Sequence, residues 1–423
     1  MLQDNLNILY SILGQAPTLS TGGPRRIVAL ILDEFKKINV NCISPYLLTN
    51  QKIIDLSDVD FSKSRGDTCQ EDRFTVLKNR LPKNLFKSLI GRHRVSRINL
   101  FLDTYNYNLK TKKRWNQWNR NNENIIFHSH TSLAAAPFIR IRNRNNQKII
   151  ITYNSKGSLF YDGVSAWGGD KSWFRDWILR TEVFEMQNAD VITFPSKGAL
   201  DIMKSHHPNI LEKLDTRIIH NGVDLERIAS ILSSEQRKND DIFRIINVAQ
   251  HVEQKRIDLL LKAVSVLKDE IKNLELYSLG DGPLLLENIE LAKSLGLEKH
   301  VTFFGARSND EVIKQMNRAD VFVMPSENVI FDLVTLEAMA VGLPVIVSAN
   351  GGNIECVRDG IDGILTKTGD VASVISAIRF VFSNREKARQ LAQSAQERVS
   401  AQFSSLSMTQ KYIDLYRELT YKN

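Results

Sequence analysis

Cysteine is scarce in this sequence. Three are spread over 423 residues, at Cys42, Cys69 and Cys356, with no C-x-x-C pair; this argues against a disulfide framework and a structural zinc site, and fits a reducing compartment. Long apolar runs are also missing: no stretch of about 18 apolar residues offers a membrane span. The opening MLQDNLNILYSILG carries acids and amides where an export signal carries positive charge. A cytoplasmic location is the expectation. The G-K-[ST] phosphate loop is absent, and GDG at 280–282 is not a dinucleotide fingerprint. His128 and His130 in FHSH share one face of a strand end, but no third ligand accompanies them, so they read as core or cleft-edge histidines. The DVD at 58–60 leads into a polar loop and does not read as a metal site. No metal is expected.

Acidic residues are nearly missing from one segment. From Arg73 to Arg120 there are thirteen Lys or Arg against one acid, Asp103, so this stretch holds more than the whole formal excess of +8. Such charge permits phosphates, acidic lipid surfaces or nucleic acid as partners. Nucleic acid is not expected, because RWNQWNR (114–120) is the one place where aromatics interleave with the basic residues. The alternation of Lys and Arg with apolar residues in LPKNLFKSLIGRHRVSRINLF suits an anionic membrane surface instead.

At this length one hydrophobic core stops growing, and two domains of about 200 residues are expected. Short β-branched runs (NLNILYSIL, VNCISPYLL, NIIFHSH, KIIITY, ADVITFP, TRIIHNG) alternate with helix-length amphipathic segments, the pattern of a parallel sheet with crossover helices. After the polar SSEQRKNDD the pattern restarts with FRIINVAQ, LELYSLGDG, HVTFFGA, ADVFVMP and LPVIVSA. The fold class is therefore α/β, with two Rossmann-like halves, 1–222 and 223–405, and a terminal helix, 406–423.

The stretch FVMPSENVIFDLVTLEAMAVGLPVIVSANGG (322–352) carries the chemistry. A strand ends at Pro325, a loop follows, and a helix starts near Asp332 and stops at Gly342 and Pro344. In an open parallel sheet, ligands bind beyond the carboxyl ends of strands against helix N-termini, where free N–H groups suit a diphosphate. Glu337, a turn further in, is placed to accept hydrogen bonds from a ribose.

PSENVIFDLVTLEAMAVGLPVIVSANGGNIE resembles the signature of the retaining family 4 glycosyltransferases, which have the GT-B fold of two facing Rossmann-like domains; the resemblance implies that the terminal helix, 406–423, returns to the first half. GDGP (280–283), VTFFGARSNDEV (301–312), IHNGVD (219–224) and GGPRR (22–26) follow in the family's order. The resemblance implies transfer of a sugar from a nucleoside diphosphate sugar, a UDP-sugar by expectation, to a saccharide or lipid-linked acceptor hydroxyl. It further implies no metal and a place in cell-surface polysaccharide, glycolipid or glycoprotein assembly, on the inner face of a membrane. By the same resemblance Glu337 holds the ribose; Lys255 and Arg256, with the N–H groups of Leu333 and Val334, hold the diphosphate; and Gly22 and Gly23 let the backbone approach it.

Three positions depart from the family. Val329 stands where a Glu holds the sugar hydroxyls, leaving Glu327 or Asp332 to reach them by another loop path. Gln250 stands where a phosphate-binding Arg is expected, and Asn154 where a His lies near the sugar. These departures keep open a non-catalytic GT-B subunit that partners an active glycosyltransferase; a GT-B epimerase would share the fold with less of the signature.

Overall fold

The computed structural model describes residues 6–11, 24–38, 43–48, 53–55, 111, 113–115, 124–154, 157–159, 173–235 and 241–421. They divide into two compact units. The first comprises Met1–Pro195, Ala199–Ile219 and Lys411–Asn423, the second Ser196–Gly198 and His220–Gln410. The division thus falls at 219/220 rather than 222/223, and again at 410/411 inside the last helix.

In the first unit the described strands are β1 (Leu6–Ser11), β2 (Ile43–Leu48), β3 (Ile53–Asp55), β4 (Ile125–Ser129), β5 (Gln147–Thr152), β6 (Val191–Phe194) and β7 (Thr216–Ile218), in the order β3-β2-β1-β4-β5-β6-β7. All neighbours pair in parallel except β3, which runs antiparallel to β2 at the edge. That three-residue strand is too short to register as a run of its own in the sequence. The RRIVALILDEFKKI segment is the helix Pro24–Ile38.

In the second unit β8 (Phe243–Val248), β9 (Leu274–Leu279), β10 (Val301–Gly305), β11 (Val321–Met324), β12 (Val345–Ser348) and β13 (Ile364–Thr366) lie in the order β10-β9-β8-β11-β12-β13, all parallel. Alternate residues feed opposite faces, as a pleated strand requires. Val321 and Val323 pack with the helix Ile257–Leu267 in one core, while Phe322 and Met324 pack with the helix Leu333–Val341 in the other. Coverage on both faces explains why these strands read as near-continuous apolar runs. β13 is an addition to the five strands read from this half; at three residues behind VRDGIDG it has no periodicity to detect.

In each sheet the chain order reverses beside the first strand, between β1 and β4 and between β8 and β11. Such switch points open a crevice at the carboxyl ends of the strands. In the second unit the loops flanking it are 249–256 and 325–332. In the first, the loop that begins at His130 after β4 is one; residues 12–23, which include Gly22 and Gly23, lie outside the described residues.

Candidate donor site

The helix Leu333–Val341 starts after N-cap Asp332 and ends at Gly342, whose φ of 86° is the left-handed conformation that stops a helix without steric cost. Asp is a favoured N-cap because its side chain accepts an N–H of the first turn. Asp224, Ser308 and Asp370 do this for their own helices in the same unit. Asp332 does not. Its carboxylate instead accepts from Lys255 Nζ, at 2.8 and 3.0 Å. The N–H groups of Leu333 and Val334, at positions with no acceptor inside an α-helix, are thus left to the crevice.

Lys255 arrives from the facing loop. Beyond β8 the chain passes through Ala249–Val252, makes a 3-10 turn over Glu253–Lys255, and enters the helix Ile257–Leu267 through Arg256, a left-handed residue with φ 46°. Two glycines of GDGP let this loop sit where it does: a Cβ on Gly280 would lie 1.8 Å from Ala249 O, and one on Gly282 2.6 Å from His251 O. His251 is the post of the loop. Its buried ring meets Asn288 Nδ2 through Nδ1 at 3.0 Å and Ser278 Oγ through Nε2 at 3.3 Å. Burial lowers its pKa, against the pull of Asp281, so the neutral ring takes the Asn288 proton at Nδ1 and donates from Nε2. Sequence reasoning misses His251; its one signal is a polar residue between Gln250 and Lys255.

The two loops are tied by the Lys255–Asp332 pair, by an Arg256–Glu327 ion pair, and by Glu327 N donating to Gln254 O at 2.7 Å. Arg256 also grips Asp258, 3.0 Å away. Lys255, Arg256, Glu327, Asp332 and the helix start thus converge in one crevice. Gln250 is exposed on the same loop. Glu337 is 1% exposed, and its Oε1 accepts from Asn309 Nδ2 at 2.9 Å, so its carboxylate is oriented from a neighbouring helix.

Val329 is 3% exposed, and its backbone is held from both sides: its N–H donates to Asn350 Oδ1 at 3.0 Å, and its carbonyl accepts from Gly352 N at 3.1 Å. A Cβ on Gly351 would lie 1.8 Å from Val329 O, and one on Gly352 2.2 Å from Ile330 O, which is why the turn after β12 carries two glycines. Asn350 also donates to Ser326 O at 2.8 Å. Further on, Glu355 accepts from Lys197 N (3.0 Å), Gly198 N (3.1 Å) and His220 Nε2 (3.1 Å). Burial pushes the Glu355 pKa up, but these hydrogen bonds outweigh it and leave the pKa lowered. Asn350 and Glu355 are not legible in the sequence as organisers, because their partners are scattered along the chain.

In the first unit Asn154 follows β5, and its amide oxygen and nitrogen are buried with no hydrogen bond to any described residue. His128 is a core residue. Its Nδ1 meets Tyr416 OH and its Nε2 Thr152 Oγ1, each at 2.7 Å, which occupies both nitrogens. His130 is buried beside it, ring centroids 4.1 Å apart.

The profile of the family described as Glycosyl transferases group 1 matches residues 230–398, and that described as Glycosyltransferase Family 4 matches residues 70–227. The chain belongs to the family 4 glycosyltransferases. N-acetyl-alpha-D-glucosaminyl L-malate synthase of Bacillus anthracis is 27% identical over 240 residues, which are 56% of this chain and 61% of that protein. D-inositol 3-phosphate glycosyltransferase of Geodermatophilus obscurus is 33% identical over 186 residues, 40% of this chain and 41% of that one. The chain therefore matches about half of the length of these relatives. Among solved structures, sucrose-phosphate synthase from Thermosynechococcus elongatus superposes with a TM-score of 0.70 at 20% identity, covering 99% of this chain and 100% of that one. Anabaena HepE, solved with UDP, reaches 0.62 at 16% identity, covering 98% and 100%. The fold of this glycosyltransferase is GT-B.

Proposed function

We propose that this glycosyltransferase moves a sugar from a nucleoside diphosphate sugar to an acceptor hydroxyl with retention of anomeric configuration. The observation that carries the reading is the crevice between β8 and β11: an uncapped helix start, two cations beside it, and a buried carboxylate one turn inside. Lys255, Arg256 and the N–H groups of Leu333 and Val334 hold the diphosphate, and Glu337 accepts hydrogen bonds from the ribose. Anabaena HepE, a protein of the same fold, has been solved with UDP-glucose, which favours a uridine nucleotide as donor.

In the reaction the acceptor oxygen bonds to the anomeric carbon as the carbon–oxygen bond to the diphosphate breaks. The hydroxyl proton passes to a phosphate oxygen on the same face, so no protein nucleophile is required. The protein contributes positioning and stabilisation of charge on the leaving group. Lys255 and Arg256 supply that charge, which makes a divalent cation dispensable. The sugar's hydroxyls fall to Glu327, Asp332 and Asn154 in place of the family's Glu. Saccharide or lipid-linked acceptors of cell-surface assembly fit this class. A role for 73–120 at an anionic surface rests on its charge alone, since all but four residues of it lie outside the described set.

Glu337→Gln tests the donor site. Loss of a charge-assisted hydrogen bond is expected to weaken nucleotide-sugar binding by about 1.5–3 kcal/mol with little change in melting temperature. Unchanged affinity by calorimetry in a folded variant would remove Glu337 from the site. A non-catalytic subunit is the second reading, favoured by the apolar, buried Val329; a partner glycosyltransferase would then supply the activity.

A further inference from the structure

The crevice is crowded with charge. Lys255 and Arg256, the two cations assigned above to the diphosphate, are each engaged by a carboxylate of the opposite loop, Asp332 and Glu327. Glu327 and Asp332 flank Val329, where the family's sugar-binding Glu is missing. All four charged side chains remain partly open to solvent, Lys255 at 23%, Asp332 at 19%, Arg256 at 24% and Glu327 at 32%. Pairs this exposed are weak and exchange partners at little cost. The Asp332 carboxylate has also left the capping role that its position would ordinarily give it.

Resting on the donor-site reading, we propose that Asp332 and Glu327 are placeholder anions that couple phosphate binding to sugar recognition. Before a donor binds they neutralise Lys255 and Arg256. When a donor enters, its diphosphate takes both cations, and the two released carboxylates turn to the sugar and accept its hydroxyls in place of the missing Glu. Arg256 keeps its orientation through the exchange because Asp258 holds it from the other side, 3.0 Å away. Val329 cannot swing in to hold the sugar itself, because its side chain is apolar and its backbone is clamped by Asn350 and Gly352. The consequence is a discrimination built into the site. A bare nucleoside diphosphate must displace the carboxylates without giving them new partners, whereas a nucleotide sugar supplies partners as it displaces them.

Calorimetry on the full chain tests this with UDP and UDP-glucose, GDP and GDP-mannose, and ADP and ADP-glucose, in the wild type and in Asp332→Asn and Glu327→Gln. These isosteric variants remove charge and little volume, and melting temperature checks that they fold. Each is expected to bind the bare nucleoside diphosphate about two- to fivefold more tightly, the scale of one part-exposed ion pair, while the preference for the nucleotide sugar over the bare nucleotide shrinks. A wild type that binds a donor while neither variant gains affinity for the bare nucleotide overturns the placeholder role. A gain with the sugar preference intact overturns the hand-over. If no nucleotide or nucleotide sugar binds the wild type or either variant, the donor-site reading falls and takes the proposal with it.

Discussion

Asp332 and Glu337 sit on one short segment and show how position decides the use of a carboxylate. Asp332 lies at the helix mouth, partly exposed, and serves a lysine; Glu337 lies one turn in, buried, and is oriented by an asparagine. Both stand out in the sequence by spacing and local pattern. The buried titratable groups of the first unit are not so legible. Glu185 accepts from Leu133 N (2.8 Å), Ala135 N (2.8 Å) and Ala136 N (2.7 Å), bracing the loop after β4, yet burial outweighs these bonds and raises its pKa to about 8. Burial lowers His130 from 6.5 to about 3 and His128 also falls well below 6.5, with His130 adding to the effect. The signs follow by linkage. The histidines' contribution is complete above their unfolded pKa near 6.5 and is lost as pH falls towards 3; that of Glu185 is complete below its unfolded pKa of 4.5 and is lost as pH rises through about 8. For these groups the melting temperature is expected to peak near pH 6.5 and to fall on either side, two histidines outweighing one carboxylate on the acid limb. Calorimetric melts from pH 5 to 8 check this, with Glu185→Gln flattening the alkaline limb. A wild-type midpoint that is level from pH 6.5 to 8 would contradict the role given to Glu185.

Elements are legible in proportion to their length and punctuation. The helix Leu333–Val341 is bounded by Asp332 and Gly342 in the sequence itself, whereas β3 and β13, three residues each, carry no period. The last helix, Ser405–Tyr421, is evident from its amphipathic pattern, but its partners are not, since they come from strands far away in the chain. Tyr416 OH lies 2.7 Å from Tyr10 OH on β1 and 2.7 Å from His128 Nδ1 on β4, and His128 continues to Thr152 on β5, 2.7 Å away. This buried chain of hydrogen bonds fastens the helix to three strands. Tyr416→Phe keeps the ring and removes the hydroxyl, leaving Tyr10 and His128 each short of a buried partner, and is expected to cost about 1–3 kcal/mol of stability. Urea unfolding measures it, with the exposed Arg417→Ala as reference; a Tyr416→Phe effect no larger than that of Arg417→Ala would show that the network does not hold the helix.

For the whole molecule, the donor half is more legible than the acceptor half, for a physical reason. The proposed donor site is built from a helix start, a turn and a lysine on the facing loop, all in the second unit. Acceptor recognition is proposed for the first half, where residues 12–23 and most of the basic segment 73–120 lie outside the described residues, and composition alone speaks of charge and not of shape. On the proposed reading, the departures at Val329, Gln250 and Asn154 mark a rearranged site and not a lost one. Release of nucleoside diphosphate from a panel of nucleotide sugars, without acceptor, tests it most directly. A rearranged site should slowly hydrolyse at least one donor in the wild type, with the rate reduced by at least about tenfold in Lys255→Ala, since a charge-assisted contact to the leaving group is worth upwards of about 1.4 kcal/mol. Every nucleotide sugar remaining intact with the wild type, while Val329→Glu creates turnover, would contradict it.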